Sequence, residues 1–124
     1  MSMHEQHHVL IVDDESEMNE YLSGHLFIEG YAVSTASEGQ EAIDLLKKNP
    51  FDVVLLDLHI PNVDGFDVLK HIKSTAPKTK VIIVTGFASP ENVAKCKRLK
   101  ADQIIEKPFE LRDIIDAVDS AVNV

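Results

Sequence analysis

The sequence predicts an α/β fold: a doubly wound, five-stranded, mostly parallel sheet with helices on both faces. Two patterns predict it. Five short apolar runs, at residues 9–12, 31–35, 53–56, 81–84 and 103–105, alternate with five longer amphipathic stretches. Such alternation marks βα units wound onto one sheet. Four of the short runs are β-branched or nearly all apolar, as strands covered on both faces must be. At 124 residues, 44% of them hydrophobic, the chain is one domain long. It can bury a continuous core without disulfides or a structural metal.

Each element has its own signals. The first strand, 9–12, is uniformly apolar. A helix over about 16–29 follows, with Met18, Tyr21, Leu22 and Leu26 on one face and Gly30 as its stop. The second strand, 31–35, alternates polar and apolar residues, which suits an edge. The next helix is expected to start at Ser37 in a capping box with Gln40, to carry Ala42, Leu45 and Leu46, and to end before Pro50. After the third strand, 53–56, a helix over about 66–74 turns Leu69 and Ile72 inward. The fourth strand, 81–84, leads to Ser89-Pro90-Glu91, an N-cap with proline in the first turn. The last helix spaces Leu111, Ile114, Ile115, Val118 and Val122 as one apolar stripe. Residues 1–7 are polar and read as a loose tail before a domain at 8–124.

Composition excludes several classes. A net charge of −9 opposes direct nucleic-acid binding. No apolar run approaches a membrane span, and the polar start is no signal peptide. One cysteine, Cys96, permits no internal disulfide, so a reducing cytoplasm is the natural compartment. The histidines His4, His7 and His8 read as part of the tail rather than as a metal site.

Open α/β sheets bind ligands outside the carboxyl ends of their strands. The chain's unusual polar residues fall there. The first strand runs into Asp13-Asp14-Glu15, the third into Asp57, the fourth into Thr85 and the fifth into Lys107-Pro108. Carboxylates gathered in one place repel unless a cation joins them. Oxygen donors of this kind suit a hard ion, Mg²⁺ or Mn²⁺. A carboxylate can act as a nucleophile and form an aspartyl-phosphate. Phosphoryl transfer asks of the protein mainly position and charge neutralisation, which Lys107 and the Thr85 hydroxyl would supply. Taken singly, each residue has a plainer reading: Asp13 and Asp14 as a helix cap, Thr85 as a strand end, Lys107 as a solvated lysine. Their convergence at four strand ends favours the chemical one.

The segments VLIVDDE, VVLLDLHIPNVDGFDVL, VIIVTG and IIEKPF, in this order and spacing, resemble the response-regulator receiver family of two-component signalling, including the chemotaxis receivers. The resemblance spans nearly the whole chain. It implies a flavodoxin-like sheet of strand order 2-1-3-4-5 with five helices. It implies that Asp57 is the phosphoacceptor, that Asp14 binds the cation directly and Asp13 through water, and that Asp57 and the main-chain carbonyl of His59 complete the metal site. Thr85 would be the switch hydroxyl and Lys107 the lysine that contacts the phosphoryl group, with a cis Lys107–Pro108 bond. Pro61, Asp64 and Gly65 fit the loop after the third strand, with Asp-Gly as a turn. The implied partners are a sensor histidine kinase or histidine phosphotransfer protein and a downstream output domain or partner protein. The output, and a homodimer, would use the face of the fourth helix, fifth strand and fifth helix. The protein would be a signalling switch rather than an enzyme, acting only on itself through phosphotransfer and autodephosphorylation. A phosphorylation-independent binding module of the same fold is the alternative.

Three departures from the family pattern stand out. Ile104 replaces the Tyr or Phe found three residues before the lysine in many receivers, and Lys100-Ala101 replaces Gly-Ala. Phe87 and His59 occupy positions, two after Thr85 and Asp57, where the family tunes hydrolysis of the acyl phosphate. The basic run Lys95, Lys97, Arg98 and Lys100 is either a solvated face or a partner surface, and Cys96 is expected to be inert. Two other reaction classes fit less well. A haloacid-dehalogenase-type phosphatase wants an acid where His59 stands. A flavin carrier wants a phosphate-cradling loop where Asp13-Asp14-Glu15 would repel phosphate.

Overall fold

The computed structural model describes residues 6–123. Its elements are β1 (His8–Val12), α1 (Ser16–Ile28), β2 (Ala32–Ala36), α2 (Gly39–Lys48), β3 (Val53–Leu56), α3 (Gly65–Thr75), β4 (Lys80–Thr85), α4 (Pro90–Arg98), β5 (Gln103–Glu106) and α5 (Leu111–Val122). The strands form one sheet in the order β2-β1-β3-β4-β5, and every neighbouring pair is parallel. This is the expected doubly wound architecture and strand order.

Side chains that alternate along the strands build two cores. Leu10, Val12, Val54, Leu56, Val81 and Ile83 face α2, α3 and α4. Val9, Ile11, Val53, Leu55, Ile82 and Val84 face α1 and α5. Because both faces are covered, β3 is apolar throughout and β4 is apolar from Val81 to Val84, with the buried Thr85 as its one polar buried residue. The apolar run over 103–105 is the exception to the expectation of strands buried on both faces. β5 is the second edge of the sheet, and only Ile105 in it is buried.

Several local expectations are corrected. Ser37 and Gln40 form no capping box. The N-cap of α2 is Glu38; Ser37 N–H donates to Glu41 Oε1 at 2.8 Å, and Gln40 pairs with Asp44. Tyr21 does not face the core of α1. It is 47% exposed and packs edge-on against His25, while Asn19 takes a buried place on that helix. Asp64-Gly65 is not a free turn: Asp64 caps α3 by accepting from Asp67 N–H at 3.0 Å. Gly65 is required by close approach, since a Cβ there would lie 2.6 Å from the Asp57 carbonyl oxygen and 2.5 Å from Leu58 Cα. The described end of the tail is tied down. Gln6 donates to the Gly30 carbonyl, the His7 carbonyl accepts from Ala32 N–H, and His8 belongs to β1, its ring against Phe51. His4 lies outside the described residues.

Other expectations hold. Ser89 caps α4 by accepting from Asn92 N–H at 3.1 Å, with Pro90 at the first helical position. The Lys107–Pro108 bond is cis. Gly30 has φ +103°, a conformation that favours glycine. Cys96 is 1% exposed, and burial pushes its thiol above the ordinary value.

Candidate functional site

Register brings the polar residues together. β1 and β3 pair with Val12 opposite Leu56, so the next residue of each strand, Asp13 and Asp57, emerge side by side; Asp57 N–H donates to the Val12 carbonyl at 3.0 Å. On the other side of β3, β4 ends in Thr85 opposite Glu106 of β5, and Lys107 N–H donates to the Thr85 carbonyl at 2.8 Å. A one-residue slip in any of these pairings would send the side chains to the opposite face.

Asp13 and Asp57 are 4% and 6% exposed, whereas Asp14 stands open to solvent. Each of the three offers a carboxylate oxygen within 4.8 Å of the others, the one such cluster among the described residues. Lys107 reaches into this cluster. Its Nζ lies 2.7 Å from Asp13 Oδ2, 3.1 Å from Asp57 Oδ2 and 3.6 Å from Glu15 Oε1. The second oxygens are held by backbone: Asp57 Oδ1 accepts from His59 N–H at 3.1 Å, and Asp13 Oδ1 from Glu15 N–H at 2.9 Å.

The charges respond to this packing. Burial pushes the Asp13 carboxyl above the ordinary carboxylate value, and the opposing pull of Lys107 and the Glu15 N–H does not offset it. For Lys107, burial acts to lower the value, but hydrogen bonds to Asp13 and Asp57 win and hold it above the ordinary lysine value. The donor set, three carboxylates with one ammonium among them, fits a hard divalent cation. It is oxygen-only and carries more negative charge than Lys107 neutralises.

Thr85 is fully buried beside this cluster, and its Oγ1 accepts from Phe87 N–H at 3.1 Å. Phe87 is 54% exposed and lays its ring on that of His59, with centroids 4.7 Å apart. The residues two positions after Thr85 and Asp57 thus touch each other. Ile104 is half-buried against the core on β5. Lys95, in the basic run, lies 4.2 Å over the Phe66 ring, so this part of the run is occupied by packing.

The structure therefore unites Asp13, Asp14, Asp57 and Lys107 and sets Thr85 and His59 next to them. Sequence reasoning missed three features: the ion pair with Glu15, the ring stack, and Asn19, whose Nδ2 donates to the Asp13 carbonyl at 2.8 Å. A polar residue inside the apolar stripe of the first helix was the available signal for the last.

Residues 9–119 match the response regulator receiver domain. The chain is 36% identical over 110 residues to sporulation initiation phosphotransferase F of Bacillus subtilis, with 89% of each chain covered. It is 34% identical over 108 residues to response regulator SaeR of Staphylococcus aureus, covering 87% of this chain and 47% of SaeR, about half its length. Among solved structures, a CheY-like receiver domain protein from Methanospirillum hungatei superimposes with a TM-score of 0.93 at 29% identity, covering 96% and 95% of the two chains. Chemotaxis protein CheY4 of Vibrio cholerae gives 0.88 at 28% identity, covering 94% and 99%. With that match over most of its length, the fold order and the acidic cluster at the strand ends, the chain belongs to the response regulator receiver family, the signalling switches of two-component systems.

Proposed function

We propose that the chain, over residues 8–124, is a phosphoacceptor switch that takes a phosphoryl group onto Asp57 from a histidine kinase or histidine phosphotransfer protein. The observation that carries this reading is the Lys107 ammonium, shared between Asp13 and Asp57 within an otherwise acidic pocket. A carboxylate beside a fixed cation can accept a phosphoryl group whose added negative charge that cation then meets.

An Asp57 carboxylate oxygen attacks phosphorus, the bond from phosphorus to the donor's imidazole nitrogen breaks, and the donor histidine keeps the electron pair. His59 N–H steadies the Asp57 carboxylate from one side. Lys107, already 3.1 Å from Oδ2, answers the added charge. Asp13, Asp14 and Asp57, with the main-chain carbonyl of His59, are the groups to hold Mg²⁺ or Mn²⁺. When bound, that ion neutralises carboxylate and phosphoryl oxygens together. The Thr85 hydroxyl turns from the Phe87 N–H toward the phosphoryl group, and the change is read through α4, β5 and α5 by an output domain, a partner protein or a second copy. A cytoplasmic location follows from the family and its donors.

The test is incubation with acetyl phosphate, with and without Mg²⁺, read by intact mass, with Asp57→Asn as control. A phosphoryl adduct that needs Mg²⁺ and vanishes in the variant supports the mechanism. No adduct under any condition makes the chain a phosphorylation-independent binding module.

A further inference from the structure

Asn19 lies in the second turn of α1 and is 7% exposed. Its Nδ2 donates to the Asp13 carbonyl at 2.8 Å and reaches the Ala36 carbonyl at 3.5 Å. Its Oδ1 is buried with no hydrogen-bond partner, the one side-chain atom so placed among the described residues. A buried acceptor without a partner lowers stability, and an apolar residue of similar shape would avoid that loss. The amide therefore does not earn its place through folding energy alone.

Its donor end bears on the site. The Asp13 carbonyl shares a rigid peptide plane with the Asp14 nitrogen. Fixing that carbonyl fixes the direction in which the chain, and with it the exposed Asp14 side chain, leaves β1. Two main-chain N–H groups complete the lock: Asp13 N–H on the Ala36 carbonyl at 3.1 Å and Glu15 N–H on Asp13 Oδ1 at 2.9 Å. Asn19 is the side chain that reaches this loop from the body of α1. Partners one step removed from a metal site orient its ligands and set its affinity.

We propose that Asn19 is a positioning residue that holds the Asp13-Asp14 loop in its cation-binding shape without touching the ion. The proposal rests on the cation-assisted reading above. The experiment compares the parent with Asn19→Leu, which removes the donor and the unpaired oxygen together. Mg²⁺ binding is measured by calorimetry, unfolding by heating in EDTA, and labelling by acetyl phosphate across a Mg²⁺ titration. In Asn19→Leu, Mg²⁺ binding weakens about tenfold, the scale for second-layer partners of metal sites. The Mg²⁺ needed for half-maximal labelling rises by the same factor, while the rate at saturating Mg²⁺ stays within about twofold of the parent. The unfolding midpoint in EDTA stays within roughly 5 °C of the parent. Unchanged Mg²⁺ affinity, whatever the midpoint, overturns the proposal and leaves Asn19 a structural residue. If Asn19→Leu does not fold, Asn19→Ser, which shortens the donor without adding bulk, decides by the same measurements. A parent that binds no Mg²⁺ overturns the cation reading itself, and this proposal with it.

Discussion

Replacing Lys107 by Met tests the electrostatics of the pocket. The ammonium makes two charge-assisted bonds, at 2.7 Å to Asp13 and 3.1 Å to Asp57, with carboxylate side chains only 5% and 7% exposed. Such bonds contribute about 1.5–3 kcal/mol each. The lysine side chain is itself 17% exposed, so solvent screens part of this, and its own burial penalty is relieved on removal. Asp13, already raised by burial, can take up a proton and limit the damage. The net loss at neutral pH is about 3 kcal/mol, the low end of the range for breaking a buried pair. For a chain this size that lowers the unfolding midpoint by roughly 10 °C. Urea and thermal unfolding in EDTA, followed by circular dichroism, measure it. The pH dependence adds a signature. The folded Lys107 value lies above 10.5, its ordinary value, so the stabilisation is fully present below pH 10.5 and is lost as pH climbs through the folded value. Parent and variant should therefore converge in alkali. Mg²⁺ should stabilise the variant more than the parent, because a cation takes over the neutralising role. A variant as stable as the parent at pH 7, or a gap that persists unchanged in alkali, refutes the reasoning.

Other changes probe separate parts of the molecule. Phe87→Ala removes the ring that lies on His59; it should open Asp57 to water and shorten the phosphorylated lifetime severalfold, followed by loss of the mass adduct over time. A lifetime equal to the parent's would show that the ring does not screen the site. Tyr31→Phe deletes the hydrogen bond from the Tyr31 hydroxyl to Asp119 on α5 and should cost about 1–2 kcal/mol in urea unfolding. Lys100 closes α4 with φ +72°, in a motif where Ala101 N–H donates to the Cys96 carbonyl and Lys100 N–H to the Lys97 carbonyl. Lys100→Gly should therefore raise stability by roughly 1 kcal/mol; a loss would mean that the lysine side chain contributes more than its backbone strain removes.

What the sequence disclosed follows from what its signals measure. β3 was bounded to the residue because all four of its side chains are apolar and buried. β1, β4 and β5 extend past their apolar runs to His8, Lys80 and Glu106, because backbone pairing continues where side-chain burial has ended. Caps were read when they used serine and proline, as at Ser89-Pro90, and missed when they used paired acids, as in the Glu110–Asp113 box that opens α5. Tyr21 fitted the helical spacing but points outward, since periodicity marks a face and not its width. The site residues were legible because each one ends an apolar strand. Their contacts were not, because residues 94 apart, such as Lys107 and Asp13, meet only through register.

The series of contacts from Asp57 to Thr85 bears on how a receiver with Ile104 would couple the proposed chemistry to shape. Asp57 Oδ1 holds the His59 N–H, the His59 ring carries Phe87, and the Phe87 N–H rests on Thr85 Oγ1. A phosphoryl group placed on Asp57, as proposed, would act on this circuit at both ends. It would change the acceptor that His59 N–H meets, and it would offer the Thr85 hydroxyl a stronger acceptor than its present surroundings. Were Thr85 to turn, the Phe87 N–H would lose its acceptor, and the chain between β4 and α4, anchored by the Asn92 side chain on the Phe87 carbonyl at 2.7 Å, would have to find a new arrangement. No rotating ring at position 104 is needed for that step. On the proposed function the coupling would run from Thr85 through Phe87 and the Asn92 side chain into the first turn of α4, and the half-buried Ile104 would serve as packing.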